Sequence, residues 1–175
     1  MSLCVSTLDK STGDPMTAQI PETLHHKGLE LTLCDEPLGP FVKNNHLCLQ
    51  FVASSSALWR GYVGTWAIEE GRLYLIKISG TAEVNDEIKD VGLVDLFPQY
   101  PNGVFAHWFS GELRCPHGGL LKYVHGGYGS VYEQDLFIDV LKGVVTGERT
   151  VRNGTAAPQA PQGYGVRAAT TFGKD

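Results

Sequence analysis

Leu58-Trp59-Arg60-Gly61-Tyr62-Val63-Gly64-Thr65-Trp66-Ala67-Ile68, then Glu69-Glu70-Gly71, then Leu73-Tyr74-Leu75-Ile76-Lys77-Ile78 is the stretch that decides the fold. Both arms are rich in aromatic and β-branched residues, which fit a pleated surface. Between them Gly71 can take the positive φ that a tight hairpin turn needs. A β-hairpin is predicted. In its first arm Tyr62, Trp66 and Ile68 share a face, while Gly61 and Gly64 leave room for a bend, a bulge or a close neighbour. Trp59 has the opposite parity to Trp66, so one of the two indoles lies outside the main core or in a second layer.

The same period of two recurs on both sides of the hairpin. Leu29, Leu31 and Leu33 alternate with Glu30 and Thr32, and Leu47, Leu49 and Phe51 alternate with Cys48 and Gln50, as half-buried strands do. After Gly80, Asn85-Asp86-Glu87-Ile88 reads as the capped start of a short helix that ends by Phe97, because Pro98 disfavours helical geometry before it. Pro98 to Gly103 is a loop. Val104 to Phe109, Ser110-Gly111 and Glu112 to Cys115 read as another hairpin. From Ser130 two patterns compete. Ser130 and Glu133 match a capping box, with Tyr132, Leu136, Phe137, Val140 and Leu141 as a helical stripe. Yet Leu136-Phe137-Ile138-Asp139-Val140 is rich in strand formers, and Leu141-Lys142-Gly143 can turn the chain into Val144 to Val151. We take strand. The expected fold is mainly β: a single antiparallel barrel or sandwich-like domain over residues 28–153, with one short helix and flexible segments at 1–27 and 154–175. Tyr164 and Phe172 offer the tail a means of docking.

With 19 acidic against 14 basic residues, a net charge of −5, the chain as a whole repels a phosphate backbone, so no nucleic-acid partner is expected. Arg60, Arg72, Lys77, Arg114 and Lys122 could converge on a local basic patch, but ordinary solvated charges are the simpler reading. No window approaches the ~20 apolar residues of a membrane-spanning helix. Met1 to Lys10 lacks the pattern of an export signal, and no membrane partner is expected. Cys4, Cys34, Cys48 and Cys115 are far apart, with no Cys-x-x-Cys pair, as expected of reduced thiols in a soluble cytoplasmic protein.

The unusual chemistry lies between Cys115 and Ser130. Cys115-Pro116-His117-Gly118-Gly119 and Tyr123-Val124-His125-Gly126-Gly127-Tyr128-Gly129-Ser130 concentrate groups for proton transfer among glycines that let a backbone approach a ligand. The candidate catalytic residues are His125 as general base, Tyr128 and Tyr132 as proton donors, and Glu133 as orienting carboxylate, with Asp139 as a second carboxylate for that role. His107, His117 and Trp108 are candidate ligand-binding residues. His125-Gly126-Gly127 is similar to the oxyanion-hole element of lipases and esterases. The nucleophile motif of that family is missing around Ser79, Ser110 and Ser130. Gly126-Gly127-Tyr128-Gly129 matches the loop of KH domains, whose nucleic-acid role the acidic charge opposes. His107, Cys115, His117 and His125 carry no metal-family spacing, and no phosphate-loop or dinucleotide fingerprint occurs, so neither metal nor cofactor is expected. His25-His26 reads as a solvated pair.

Two functions remain. The leading one is a non-enzymatic binding or protein-interaction domain, suggested by Trp59, Tyr62, Trp66, Trp108 and Phe109 in the hairpins. The other is a small hydrolase, lyase or isomerase built on His125. A homodimer through a strand edge is also a possible assembly.

Overall fold

The computed structural model describes residues 17–160 and 170–171. Eleven strands form one sheet: β1 (Glu22–His26), β2 (Leu29–Leu33), β3 (Gln50–Phe51), β4 (Tyr62–Glu69), β5 (Arg72–Val84), β6 (Glu87–Val91), β7 (Val104–Phe105), β8 (Gly111–Lys122), β9 (Val131–Leu141), β10 (Val144–Arg152) and β11 (Thr170–Thr171). Two short helices, α1 (Gly39–Asn44) and α2 (Leu93–Leu96), complete the described elements. The main path through the sheet is β11-β2-β1-β4-β5-β10-β9-β8, with β3, β6 and β7 added along the long β5. The fold is mainly β, and among the described strands every pairing is antiparallel except that of β1 with β4; an isolated Ala18–Gly127 bridge is also parallel. The sheet ladder does not close. The residue after β2 nevertheless touches β8, the far end of the path, where the Cys34 N–H donates to the Arg114 carbonyl at 2.9 Å.

Four two-residue turns build the hairpins. Lys27-Gly28, Glu70-Gly71, Asn85-Asp86 and Lys142-Gly143 all have positive φ at both positions, the turn geometry whose twist matches that of the flanking strands. The β4–β5 and β9–β10 hairpins are therefore as expected, and 131–141 is strand. The Glu70-Gly71 and Lys142-Gly143 turns lie side by side: Leu73 N–H donates to Gly143 O and Val145 N–H to Gly71 O, both at 2.8 Å. A Cβ on Gly143 would stand 2.7 Å from Phe105 and 2.8 Å from the Ala106 carbonyl, so this crossing requires glycine.

Four expectations are corrected. Asn85-Asp86 turns β5 into β6 instead of capping a helix; the helix comes later, at α2, where the Asp95 carboxylate accepts the Gly92 N–H at 2.7 Å. Asn and Asp serve helix caps and positive-φ turns alike, and pairing along β5 decides between them. Val104–Phe109 and Glu112–Cys115 do not pair with each other. β7 adds to β5 and β8 pairs with β9, while Ser110 accepts the Lys142 N–H and so docks on the second turn. Of the strand expected at 47–51 only Gln50–Phe51 pairs, and α1 is a second helix. Finally, the lead-in to residue 27 contributes β1, an internal strand whose Leu24 is fully buried. The rest of the expected flexible segments, at 1–16, 161–169 and 172–175, lies outside the described residues, as do Tyr164 and Phe172.

The core is one cluster that includes Leu24, Leu33, Trp66, Leu73, Leu75, Leu113 and Ile138. Phe41, Phe97 and Trp108 join the two helices to it, with ring centroids 4.8 to 5.6 Å apart.

Candidate functional site

Beneath the loop that precedes β4 lies a polar cluster that sequence reading missed. Glu22, Leu24 and His26 alternate along β1 onto the buried face, which carries the Glu22 carboxylate inside with no exposed surface. Trp66 Nε1 donates to Glu22 Oε2 at 2.5 Å and Arg60 Nε donates to Oε1 at 3.1 Å. Arg60, itself 7% exposed, also donates to the Tyr128 hydroxyl at 3.1 Å, to the Ile20 carbonyl at 2.8 Å and, at 3.5 Å, to Glu36. Tyr128 in turn hydrogen-bonds Glu36 at 3.0 Å. Burial pushes the Glu22 carboxyl up to about 7 against the pull of Arg60 and the Trp66 N–H. Gly64 leaves the space for this arrangement: its Cβ would fall 2.7 Å from both Glu22 Oε2 and Trp66 Nε1.

A second cluster sits at the β2–β8 seam. Arg114 donates to Asp135 at 2.8 Å and to the Tyr128 and Ser130 carbonyls, and its own N–H goes to Asp35 at 2.6 Å. Asn153 closes the group by donating to Asp135. Burial raises Asp35 to about 6 and the Cys34 thiol to about 12, which leaves Cys34 a thiol rather than a thiolate nucleophile at neutral pH. Arg60 and Arg114 are thus consumed by internal networks that share Tyr128, through its hydroxyl and its carbonyl. Arg72, Lys77 and Lys122 are exposed.

The proposed catalytic residues divide among these surroundings. Tyr128 belongs to the Arg60–Glu36 network, and burial raises its hydroxyl. Tyr132 is buried and, with Tyr128, Cys34 and Ser130, lines a narrow cleft. Glu133 accepts the Gly119 and Ala156 N–H groups, which hold its carboxyl below the usual range. Asp139 is beside Arg149 at 3.6 Å. His125 is exposed, and its Nδ1 pairs with the Tyr123 hydroxyl at 2.9 Å. The structure therefore gives His125 a tyrosine neighbour and directs Glu133 and Asp139 to other partners. His117 pairs with Gln134 across β8 and β9. Trp108 donates to the Pro37 carbonyl and stacks on Phe97, and the exposed His107 meets its edge. Those two rings belong to the helix-anchoring aromatic cluster.

His25-His26 departs from the solvated reading: His26 is 8% exposed and its Nε2 lies 2.7 Å from Glu148. No group of metal-ligating residues occurs among the described residues, and none of their helices is long and apolar enough to cross a membrane.

Two loops tied to one segment also carry exposed rings. The extended segment 18–20 runs between two loops, 52–61 and 123–130. Gln19 N–H donates to Gly127 O, the next N–H, of Ile20, donates to Ala57 O, and the Gln19 side chain ties Ser56 O and Trp59 N. Successive N–H groups of an extended chain point opposite ways, so one segment holds a loop on each side. These loops present Trp59 and Tyr123, 55% and 53% exposed, together with His125. Comparison with protein-family models, curated proteins and solved structures returned no match.

Proposed function

We propose that this protein is a non-enzymatic binding domain that takes a protein partner on the rim formed by Trp59, Tyr123 and His125. The observation that carries this reading is the pair of loops tied to one segment, each offering a large ring to solvent. Exposed Trp and Tyr on a fixed backbone supply contact area at small entropic cost, and they are the side chains that dominate interface energies. The buried polar groups support the same reading. Glu22, Arg60, Tyr128, Arg114 and Asp135 are bonded to one another or to backbone, and so act as fasteners. The alternative, a hydrolase, lyase or isomerase with His125 as base, has the weaker support, because the candidate carboxylates bond elsewhere. A cytoplasmic setting suits the free thiols of Cys34, Cys48 and Cys115.

The test is affinity capture with the wild-type chain and with a Trp59→Ala/Tyr123→Ala double variant of matched thermal stability. A partner held by the wild type should lose about tenfold or more in affinity for the variant. Equal capture by both chains, or a substrate turnover abolished by His125→Ala, would overturn the proposal.

A further inference from the structure

β6 leaves one edge of the sheet open. Among the described strands it pairs with β5 alone, and Glu87, Ile88, Lys89 and Asp90 are all exposed. By contrast, β8 is met on its open side by Cys34 and Asp35, which bond the Arg114 backbone, and β10 by Gly71, which accepts the Val145 N–H.

The Asn85-Asp86 turn decides which backbone groups of β6 face outward. A two-residue turn is closed by a pair that exchanges both hydrogen bonds, here Val84 and Glu87, and bonding alternates from there. Glu87, Lys89 and Val91 thus direct their N–H and C=O groups at β5, while Ile88 and Asp90 direct theirs away from the sheet. Side chains alternate as well. Ile88, 67% exposed, stands on one face, and Glu87 and Lys89 on the other.

A second β6 laid antiparallel on this edge must set outward groups against outward groups, so the two-fold axis falls on a residue. An axis at Glu87, Lys89 or Asp90 places that residue's charge against its own copy, and Val91 is buried. An axis at Ile88 does neither. The two Ile88 residues then exchange N–H to carbonyl bonds and lie side by side. Glu87 of each copy stands opposite Lys89 of the other, in the non-hydrogen-bonded position where cross-strand side chains are closest. Asp90 falls opposite Asp86, which has already left the strand for the positive-φ turn.

We infer that this protein self-associates through β6, two copies joining their sheets in an antiparallel pair centred on Ile88. Charges on an open edge discourage pairing with unrelated strands. Here the same charges accept the identical strand, because Glu87 and Lys89 are complementary to themselves about a two-fold axis. Five residues make a small interface, so the dimer is weak and grows with concentration. The edge is separate from the Trp59–Tyr123 rim, and neither reading requires the other.

The experiment is sedimentation equilibrium of the full chain at low salt, up to about 1 mM, where weak association is measurable. The wild type should pass from monomer to dimer as concentration rises. Glu87→Lys and Lys89→Glu, both at exposed positions, should each weaken dimerisation about tenfold or more, since each turns two opposite-charge pairs into like-charge pairs. An equal mixture of these two variants should dimerise again, because both cross-strand pairs of the mixed dimer join opposite charges. A wild type that stays monomeric throughout would overturn the inference and leave the edge to a strand of another protein. Dimerisation unchanged by either reversal, or a mixture no tighter than its components, would overturn it equally.

Discussion

Replacing Glu22 by Ala removes the acceptor for two buried donors at once. Arg60 keeps only Glu36 as a carboxylate neighbour, at 3.5 Å, and the Trp66 indole N–H is left facing the deleted carboxylate. Breaking one side of a buried ion pair costs about 3–5 kcal/mol. An orphaned donor adds about 1–3 kcal/mol, though the two effects overlap. The expected loss at pH 8 is therefore about 4 kcal/mol, a large share of the ~5–15 kcal/mol that holds a domain together. For a chain of this size it corresponds to a fall in Tm of about 10 °C or more. Glu22→Gln keeps the shape and one acceptor oxygen, so it separates charge from packing. With the Glu22 carboxyl raised to about 7 in the folded protein from an ordinary 4.5, the native state holds the extra proton between those values. Its contribution to stability is then full below 4.5 and is lost as pH rises through 7, a change of about 3 kcal/mol. Asp35, raised to about 6 from 3.8, acts with the same sign over a lower interval. Glu133 and Glu148, both lowered, act with the opposite sign below the ordinary carboxylate range. Urea unfolding followed by near-ultraviolet circular dichroism at pH 5, 6, 7 and 8 isolates Glu22 as the difference between wild type and Glu22→Gln. That difference should change by kilocalories across the interval. A loss under about 1 kcal/mol for Glu22→Ala, or a pH-independent difference for Glu22→Gln, would refute the reasoning.

Further outcomes follow from burial and backbone geometry. Trp66→Ala, at a fully buried indole, should lose about 3–5 kcal/mol in denaturant unfolding, while Trp59→Ala, on the exposed rim, should stay within about 0.5 kcal/mol of wild type. Gly71 and Gly143 both have positive φ, but only Gly143 has Phe105 and Ala106 within clash distance. Gly71→Ala should therefore cost about 1 kcal/mol and Gly143→Ala distinctly more, measured by thermal melts side by side. Arg114→Met, which leaves Asp135 with Asn153 alone and the Tyr128 and Ser130 carbonyls without the Arg114 donor, should lower stability by about 3 kcal/mol; hydrogen exchange should show the 123–130 loop opening first.

Much of the strand content was legible because alternation is local. Leu29–Leu33, the arms around Glu70-Gly71 and the turn at Lys142-Gly143 each carry their signal within a dozen residues, and tertiary structure had nothing to reverse there. Where one local signal serves two structures, reading failed. Asn85-Asp86 suits a helix cap and a positive-φ turn, and Ser110-Gly111 suits a hairpin that never forms. In the candidate sites, the exposed Trp59 was half visible in its parity against Trp66, whereas the cluster of histidine, tyrosine and glycine scattered once its side chains found separate partners.

The sequence by itself determined that the chain folds as a β-rich domain and that its strands turn on glycines after Glu70 and Lys142. Only the tertiary structure decided that β1 lies inside the sheet beside β4, and that the end of β2 meets β8 at Cys34 and Arg114. It also decided that Glu22 and Arg60, 38 residues apart, share one buried bond, and that the buried His26 meets Glu148, 122 residues further along the chain. The reason is physical. Period and turn chemistry act between near neighbours, but the state of a polar group depends on what excludes water from it, and those atoms arrive from distant parts of the chain.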